Sequence, residues 1–410
     1  MSDAATEDAV RIPTLADIEI AREELRGVSV YTPMEESRWL SALAGGPVMI
    51  KAENLQRTGS FKIRGAYLRM SRLSAEEKAA GVVAASAGNH AQGVALAAQM
   101  LGIKSTVFMP EGAPIPKEKA TRGYGADVRF HGRNIDDALI AAKEFSAETG
   151  AVLIHPFDHI DIVTGQGTCG LEIVEQCPEV KTIVASCGGG GFLGGIAVAA
   201  KALRPDVRVV GVQAAGAAAY PTSLSEGRPV ALKSMTTMAD GIAVGCPGQV
   251  PFAAIQEYVD EFVTVSEESL SRALLMLLER AKLVVEPAGA AAVAAMLDHP
   301  DAFETPAVVV LSGGNVDPLL LMKVIRHGLA AAGRYLYFRA RIPDVPGGLA
   351  TLLNELAAAE ANVLDVVHER TSANLHLDEV EVQLQVETRG PEHADRVLGR
   401  LRECGYPLSQ

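Results

Sequence analysis

The chain has 410 residues, 48% hydrophobic and 21% charged, the profile of a globular protein of two or three domains with a large core. A formal net charge of −13 argues against a nucleic-acid backbone or an anionic membrane as partner, and no apolar run reaches the length of a membrane span. Cys169, Cys177, Cys187, Cys246 and Cys404 lack CxxC spacing and the start MSDAATEDAV is acidic, so a cytoplasmic protein with reduced thiols and no zinc is expected.

In chain order, residues 1–11 read as a flexible tail. In RTGSFKIRGAY, residues 57–67, Thr58-Gly59 signals a turn and Ser60 predicts a helix N-cap. Lys62 then stands in the first helical turn, where the macrodipole disfavours an ammonium group. From about Val48 to Leu321 short apolar runs recur: VVAAS (82–86), STVFM (105–109), AVLIH (151–155), TIVAS (182–186), RVVGV (208–212) and AVVVLS (307–312). They predict parallel strands buried on both faces, with crossover helices such as 134–148, 192–203 and 267–281. The class is α/β with parallel sheets, and ligands are expected beyond the carboxyl ends of strands. Residues 334–410 contain no lysine and predict strands at 335–342, 363–370 and 379–387, with helices at 347–361 and 391–404. This β-α-β-β-α order suits a small ferredoxin-like module, closed only if the GYPLSQ tail adds a strand.

Three glycine-containing loops follow strands directly: SAGNH (86–90), CGGGG (187–191) and SGGN (312–315). A glycine after a strand often makes no more than a tight turn. Four in a row carry a large chain-entropy cost, and their use is close approach of backbone N–H groups to an anion at a helix start. No Lys-Ser or Lys-Thr follows, and RVVGV runs into Gln213 rather than an acidic residue, so a nucleotide fits less well than a small phosphorylated cofactor. A lysine that forms a Schiff base needs a depressed pKa, which burial beside Phe61 and Ile63 would give Lys62.

SFKIRGA, SAGNHAQG, GGGG and SGGN, in this order and spacing, resemble the threonine dehydratase family over roughly residues 12–330. The resemblance implies the tryptophan-synthase-β-like fold of pyridoxal-phosphate enzymes (fold type II), with a small subdomain at about 58–150 inserted in a large one. It implies that Lys62 is catalytic and holds pyridoxal 5'-phosphate covalently, with Phe61 against the ring and Asn89 at the ring hydroxyl. Gly188, Gly189, Gly190 and Gly191 would cradle the phosphate and Ser312 would meet the pyridine nitrogen. Ser86, Ala87, Gly88, Asn89 and His90 would bind substrate. A serine cannot keep the pyridine nitrogen protonated as an aspartate does, which suits β-elimination better than a long-lived carbanion. The implied reaction is loss of water from L-threonine, and more weakly L-serine, giving a 2-oxo acid and ammonia.

Relatives with a divalent site carry carboxylates just after the strand matching RVVGV, whereas Gln213, Ala217 and Ala219 stand here, so no metal is expected. Racemases of the family have serine where this chain has Ala87, which opposes a serine or threonine racemase; intact Lys62, Asn89 and Ser312 oppose a non-catalytic amino-acid sensor. Glu286, before Pro287, reads equally as a carboxylate near the ring or a helix-start acid, and Tyr124 as core or site wall.

PDVPGGLATLL (343–353), with Asp344, Pro346, Gly347, Gly348 and Leu349 between strand and helix and Asn362 at the helix end, resembles an ACT regulatory domain spanning 334–410. That resemblance implies an amino-acid effector, a branched-chain one first, bound at this loop, in a homodimer or homotetramer. A module that only assembles the chains is weighted equally.

Overall fold

The computed structural model describes residues 10–370, 376 and 378–409, and the chain divides into two compact units between Pro318 and Leu319. Most of the expected tail, 1–11, lies outside the described residues. In the first unit the apolar runs build two sheets. The larger has six strands in the order Met34–Glu36, Val48–Ala52, Ala307–Leu311, Thr182–Ser186, Arg208–Ala214 and Glu261–Val265. Its neighbours are parallel except for the antiparallel edge Met34–Glu36. The smaller sheet has four parallel strands, Asp127–Phe130, Ser105–Met109, Val82–Ala85 and Val152–Leu153, all inserted in sequence within the larger. Every residue of Thr182–Ser186 and Ala307–Leu311 is buried, as parallel strands covered on both faces require.

The helices Ile160–Gln176 and Gly191–Leu203 pack backbone against backbone: a Cβ on Gly195 would lie 2.4 Å from the Val163 carbonyl oxygen. Three expectations are corrected locally. Ser60 does not cap the helix Lys62–Ser71; at φ −165° it is extended and bridges Gly313, and its hydroxyl is buried without a partner. The segment 267–281 is a helix only over Glu267–Met276, continuing as a π-helical turn, Leu277–Ala281, that ends on Lys282 at φ +62°. AVLIH keeps just Val152–Leu153 as an edge strand.

The strands Thr182–Ser186 and Ala307–Leu311 are parallel neighbours, so the loops CGGGG and SGGN leave the same end of the sheet. There the Phe61 N–H donates to the Ser312 carbonyl at 3.3 Å, which brings Lys62 to that end too.

The second unit starts at Leu319 and takes in all but the first residue of the helix Pro318–Ala331. An antiparallel sheet follows in the order Asn362–Glu369, Glu379–Glu387, Tyr335–Pro343 and Leu408–Ser409. With helices Gly348–Ala358 and Pro391–Glu403 the order is β-α-β-β-α-β, the ferredoxin-like arrangement, and the tail does supply the last short strand. Alternate residues Phe338, Ala340 and Ile342 pack with Val382 and Leu384 against Leu352, Leu356 and Leu401, the period-two pattern of a one-sided sheet.

Candidate active site

The helix that carries Lys62 is anchored two residues further on. Arg64 bonds Glu53 through Nε and Nη2 (2.9 and 2.8 Å) and Glu172 through Nη1 (2.7 Å), while Lys51 Nζ bonds Glu172 at 2.6 Å. These four side chains are at most 7% exposed, and they balance in charge. Burial would raise the Glu53 carboxyl, but the Arg64 guanidinium outweighs it and holds the acid below its usual range.

Lys62 itself is half-buried and its Nζ donates to the Pro156 carbonyl at 3.0 Å. Burial lowers its pKa to about 8, opposed in part by Glu286, so neutral amine is accessible near physiological pH. Nζ lies 5.1 Å from the centroid of the Phe61 ring, and Phe61 stacks on Phe192 with centroids 3.9 Å apart. One face of Phe61 is therefore taken by the helix that follows the glycine loop.

Asn89 opens the helix Asn89–Leu101. Its Nδ2 donates to Glu286 Oε1 at 2.6 Å, and its Oδ1 accepts from Asn315 Nδ2 at 2.7 Å. The same Asn315 amide donates to the Thr58 carbonyl at 2.6 Å, which ties the loop before Lys62 into the network. Glu286 does stand at the N-cap of the helix Pro287–Asp298, before the proline of its first turn, but its carboxylate makes no cap bond there and faces Asn89 instead. Burial, helped by Asp240, pushes its carboxyl up to about 7. Ser312 Oγ accepts from Ser186 Oγ at 3.1 Å, which leaves its own proton for another acceptor.

The glycine loop is shaped by what surrounds it. A Cβ on Gly189 would lie 2.3 Å from the Phe157 ring, and one on Gly190, at φ +95°, 1.9 Å from the Tyr220 hydroxyl. Among the described residues no protein acceptor takes the N–H groups of Gly188, Gly189, Gly190 or Gly191. Unpaired N–H groups at the start of the helix Gly191–Leu203, together with a half-buried lysine amine, fit a phosphorylated aldehyde: a cradle for the phosphate and an amine for the aldehyde.

The turn Ser86-Ala87-Gly88 is looser. Its one internal tie runs from the Gly88 N–H to Ser86 Oγ at 3.1 Å, and a Cβ on Gly88 would meet nothing within 4 Å. The side chain of His90 is not part of this turn's open face. Its ring bonds the Ile154 carbonyl at 2.8 Å, and burial lowers its pKa to about 3, so only its backbone could meet a substrate. Tyr124 packs with Val107, Met109 and Val128, the core reading. Gln213 donates to the Cys187 carbonyl at 3.3 Å and accepts from the Tyr220 N–H at 2.9 Å. Sequence reasoning passed over Asn315, Ser186, Pro156 and the Arg64 quartet; Arg64 and Asn315 at least sat inside quoted motifs.

A family model described as "Pyridoxal-phosphate dependent enzyme" matches residues 26–313. The chain belongs to this family. As such an enzyme it carries pyridoxal phosphate, which when bound withdraws electrons from an attached amino acid and makes its Cα proton acidic. A Thermotoga maritima protein named L-threonine ammonia-lyase is 44% identical over 395 residues, 96% of this chain and 98% of that one. The structure of a processed threonine deaminase isoform 2 from Solanum lycopersicum superposes with a TM-score of 0.74 at 38% identity, covering 76% of this chain and 86% of that one. A maize serine racemase structure gives 0.73 at 33% identity, covering 78% and 99%.

In the second unit, Asp344 Oδ1 accepts from Arg370 Nη2 at 3.3 Å, and Gly347, at φ +89°, precedes the helix Gly348–Ala358. Leu349 packs on the core of that unit, while the Asn362 amide is exposed and reaches Glu387 at 3.4 Å.

Proposed function

We propose that the chain is an L-threonine ammonia-lyase, acting more weakly on L-serine, that releases 2-oxobutanoate or pyruvate together with ammonia. The observation that carries this reading is the Lys62 amine, at a pKa of about 8, beside a glycine loop with four unpaired N–H groups. In this reading Lys62 anchors the cofactor, Gly188–Gly191 hold its phosphate, Asn89 its ring hydroxyl and Ser312 its ring nitrogen, with Phe61 alongside. The turn Ser86–His90, at the start of the helix Asn89–Leu101, holds the substrate carboxylate through the N–H groups of Ala87, Asn89 and His90, since those of Ser86 and Gly88 donate to the Phe108 carbonyl and to Ser86 Oγ. The Lys62 Nζ, freed by the substrate amine, takes the Cα proton as general base. Departure of the β-hydroxyl as water leaves an enamine, which water hydrolyses to the 2-oxo acid and ammonia. The likeness to a serine racemase favours a second reading only in part, because Ala87 offers a methyl group where an opposite-face proton donor would be needed.

In the same proposal, residues 334–410 act as an ACT regulatory domain that takes a branched-chain amino acid at Asp344, Gly347, Gly348, Leu349 and Asn362, in a cytoplasmic homodimer or homotetramer. The coupling of a typical effector is about 1–3 kcal/mol, readily visible in initial rates. The test is 2-oxo acid release by the full chain from L-threonine and L-serine, with and without isoleucine and valine. Faster release from threonine is expected. No release from either substrate overturns the activity, and no response to any effector overturns the regulation.

A further inference from the structure

We infer that Gln213 and Tyr220 are positioning residues that aim the peptide units of the glycine loop and so set the affinity for the phosphate group. The inference rests on the reading that Gly188–Gly191 form the phosphate cradle. Gln213 lies near the end of the strand Arg208–Ala214, directly beside Thr182–Ser186, and is 0% exposed. Its Nε2 draws the Cys187 carbonyl towards it at 3.3 Å. Its Oε1 takes the backbone N–H of Tyr220 at 2.9 Å. Tyr220, also 0% exposed, is stacked on Phe262 at 5.0 Å and sends its hydroxyl to the Gly189 carbonyl at 3.2 Å.

Peptide planarity turns these two bonds into an orientation. The only cis peptide among the described residues is Thr305-Pro306, so the loop peptides are trans, and in a trans unit the C=O of one residue opposes the N–H of the next. Holding the Cys187 carbonyl under the loop turns the Gly188 N–H to the opposite side. Holding the Gly189 carbonyl there does the same for the Gly190 N–H. Among the described residues neither N–H finds a protein acceptor, which is what donors reserved for a ligand look like. Glycine peptides flip easily, and a flipped unit would show an anion its carbonyl oxygen. The Gly248 N–H, at 3.4 Å from the Gly189 carbonyl, is a weaker second hold. Both positioning side chains are neutral, so neither repels a phosphate above them, and burial keeps the Tyr220 hydroxyl protonated as a donor.

The test compares two probes on the full chain stripped of cofactor: pyridoxal 5'-phosphate and pyridoxal, which lacks the phosphate. Tyr220→Phe removes one hydroxyl and should weaken pyridoxal 5'-phosphate by about 3- to 10-fold, one net hydrogen bond, with pyridoxal changed less than about 2-fold. Gln213→Leu removes both of its bonds and should act in the same direction, more strongly. The readout is the ratio of the two dissociation constants, which general loosening of the fold would leave alone. An unchanged ratio in Tyr220→Phe, whether both affinities fall together or neither moves, overturns the inference. Gly188→Ala, in the loop itself, separates the two levels of the argument. If it shifts the ratio and Tyr220→Phe does not, the cradle stands and the positioning role is wrong; if neither shifts it, the cradle assignment is wrong as well.

Discussion

In the proposed site the glycine loop and the turn Ser86-Ala87-Gly88 are built on opposite terms. Around the loop a side chain at Gly189 or Gly190 would strike Phe157 or Tyr220, and two carbonyls are tied from beneath. At the turn, a Cβ on Gly88 meets open space, and one side-chain bond adds to the backbone bond from the Ser86 N–H to the Phe108 carbonyl. The difference tracks residence time. A group that stays bound rewards a site that is rigid before it arrives, because little ordering remains to be done on binding. A substrate that enters and leaves at every turnover needs a wall that can give. The same contrast appears beneath Lys62, where the Arg64 quartet fixes the helix from a fully buried position.

The largest effect should come from Lys62. Lys62→Ala removes anchor and base together, and turnover should fall by more than about 10³-fold with the loss of the protein-bound cofactor absorption. Normal turnover at saturating cofactor and substrate would remove Lys62 from its assigned role. Next is the rigid support. Arg64→Leu strands the buried Glu53 carboxylate and leaves Glu172 with Lys51 alone, and it should destabilise the chain by about 3–5 kcal/mol in denaturant titration. A loss below about 1 kcal/mol would mean that the quartet is no better than an exposed ion pair, and the contrast between the two sides would weaken.

Glu286 gives an intermediate effect with a defined pH sign. Its folded pKa, about 7, lies above the ordinary 4.5. At pH values below 4.5 the carboxyl is neutral in both states; between 4.5 and about 7 the unfolded chain ionises while the folded one keeps its proton, so stability falls across that window and levels off above it. The loss approaches about 3 kcal/mol by roughly pH 8. Lys62 acts in another window: its penalty is full below its folded value of about 8 and is relieved as pH rises to 10.5. Glu286→Gln should therefore be less sensitive than wild type between about pH 5 and about pH 8 when unfolding is followed without cofactor. Equal pH sensitivity would assign the titration to another group.

The strands that sequence reading placed best are those buried on both faces, such as Thr182–Ser186 and Ala307–Leu311, where one apolar run carries the whole signal. Edges were harder: Met34–Glu36 and Glu261–Val265 mix charge with apolar residues because part of each strand meets solvent. Lys62, Asn89 and the glycines were open to nomination for the proposed site because their chemistry is local to a motif. Lys51 and Glu172 were not, since nothing along the chain links two charges 121 positions apart that fold into one buried pair. Ser60 misled for a related reason. Its residue type suits a cap, but the bridge to Gly313 holds its backbone extended.

The smallest expected effect probes the open side directly. Racemisation needs a proton removed from one face of Cα and another delivered to the opposite face. Lys62 serves only the face that it occupies. In the proposed arrangement the opposite face lies against the turn 86–88, where Ala87 contributes a methyl group and no exchangeable proton. Because that turn has room, with nothing within 4 Å of a Cβ on the neighbouring Gly88, Ala87→Ser should fold with little loss of stability. A positioned acid or base contributes about 10²–10⁴-fold when its geometry is optimal, and an unsupported hydroxyl on a loose turn should reach only the bottom of that range or below it. The variant should therefore show a measurable rise in racemisation of L-serine while elimination from L-threonine persists. Chiral analysis of unreacted substrate during turnover provides the reading for both chains. If the wild type forms D-serine or D-threonine as fast as the 2-oxo acid, the face argument fails and the racemase reading replaces the lyase one. If Ala87→Ser racemises no faster than wild type, the turn does not lie over the opposite face of Cα.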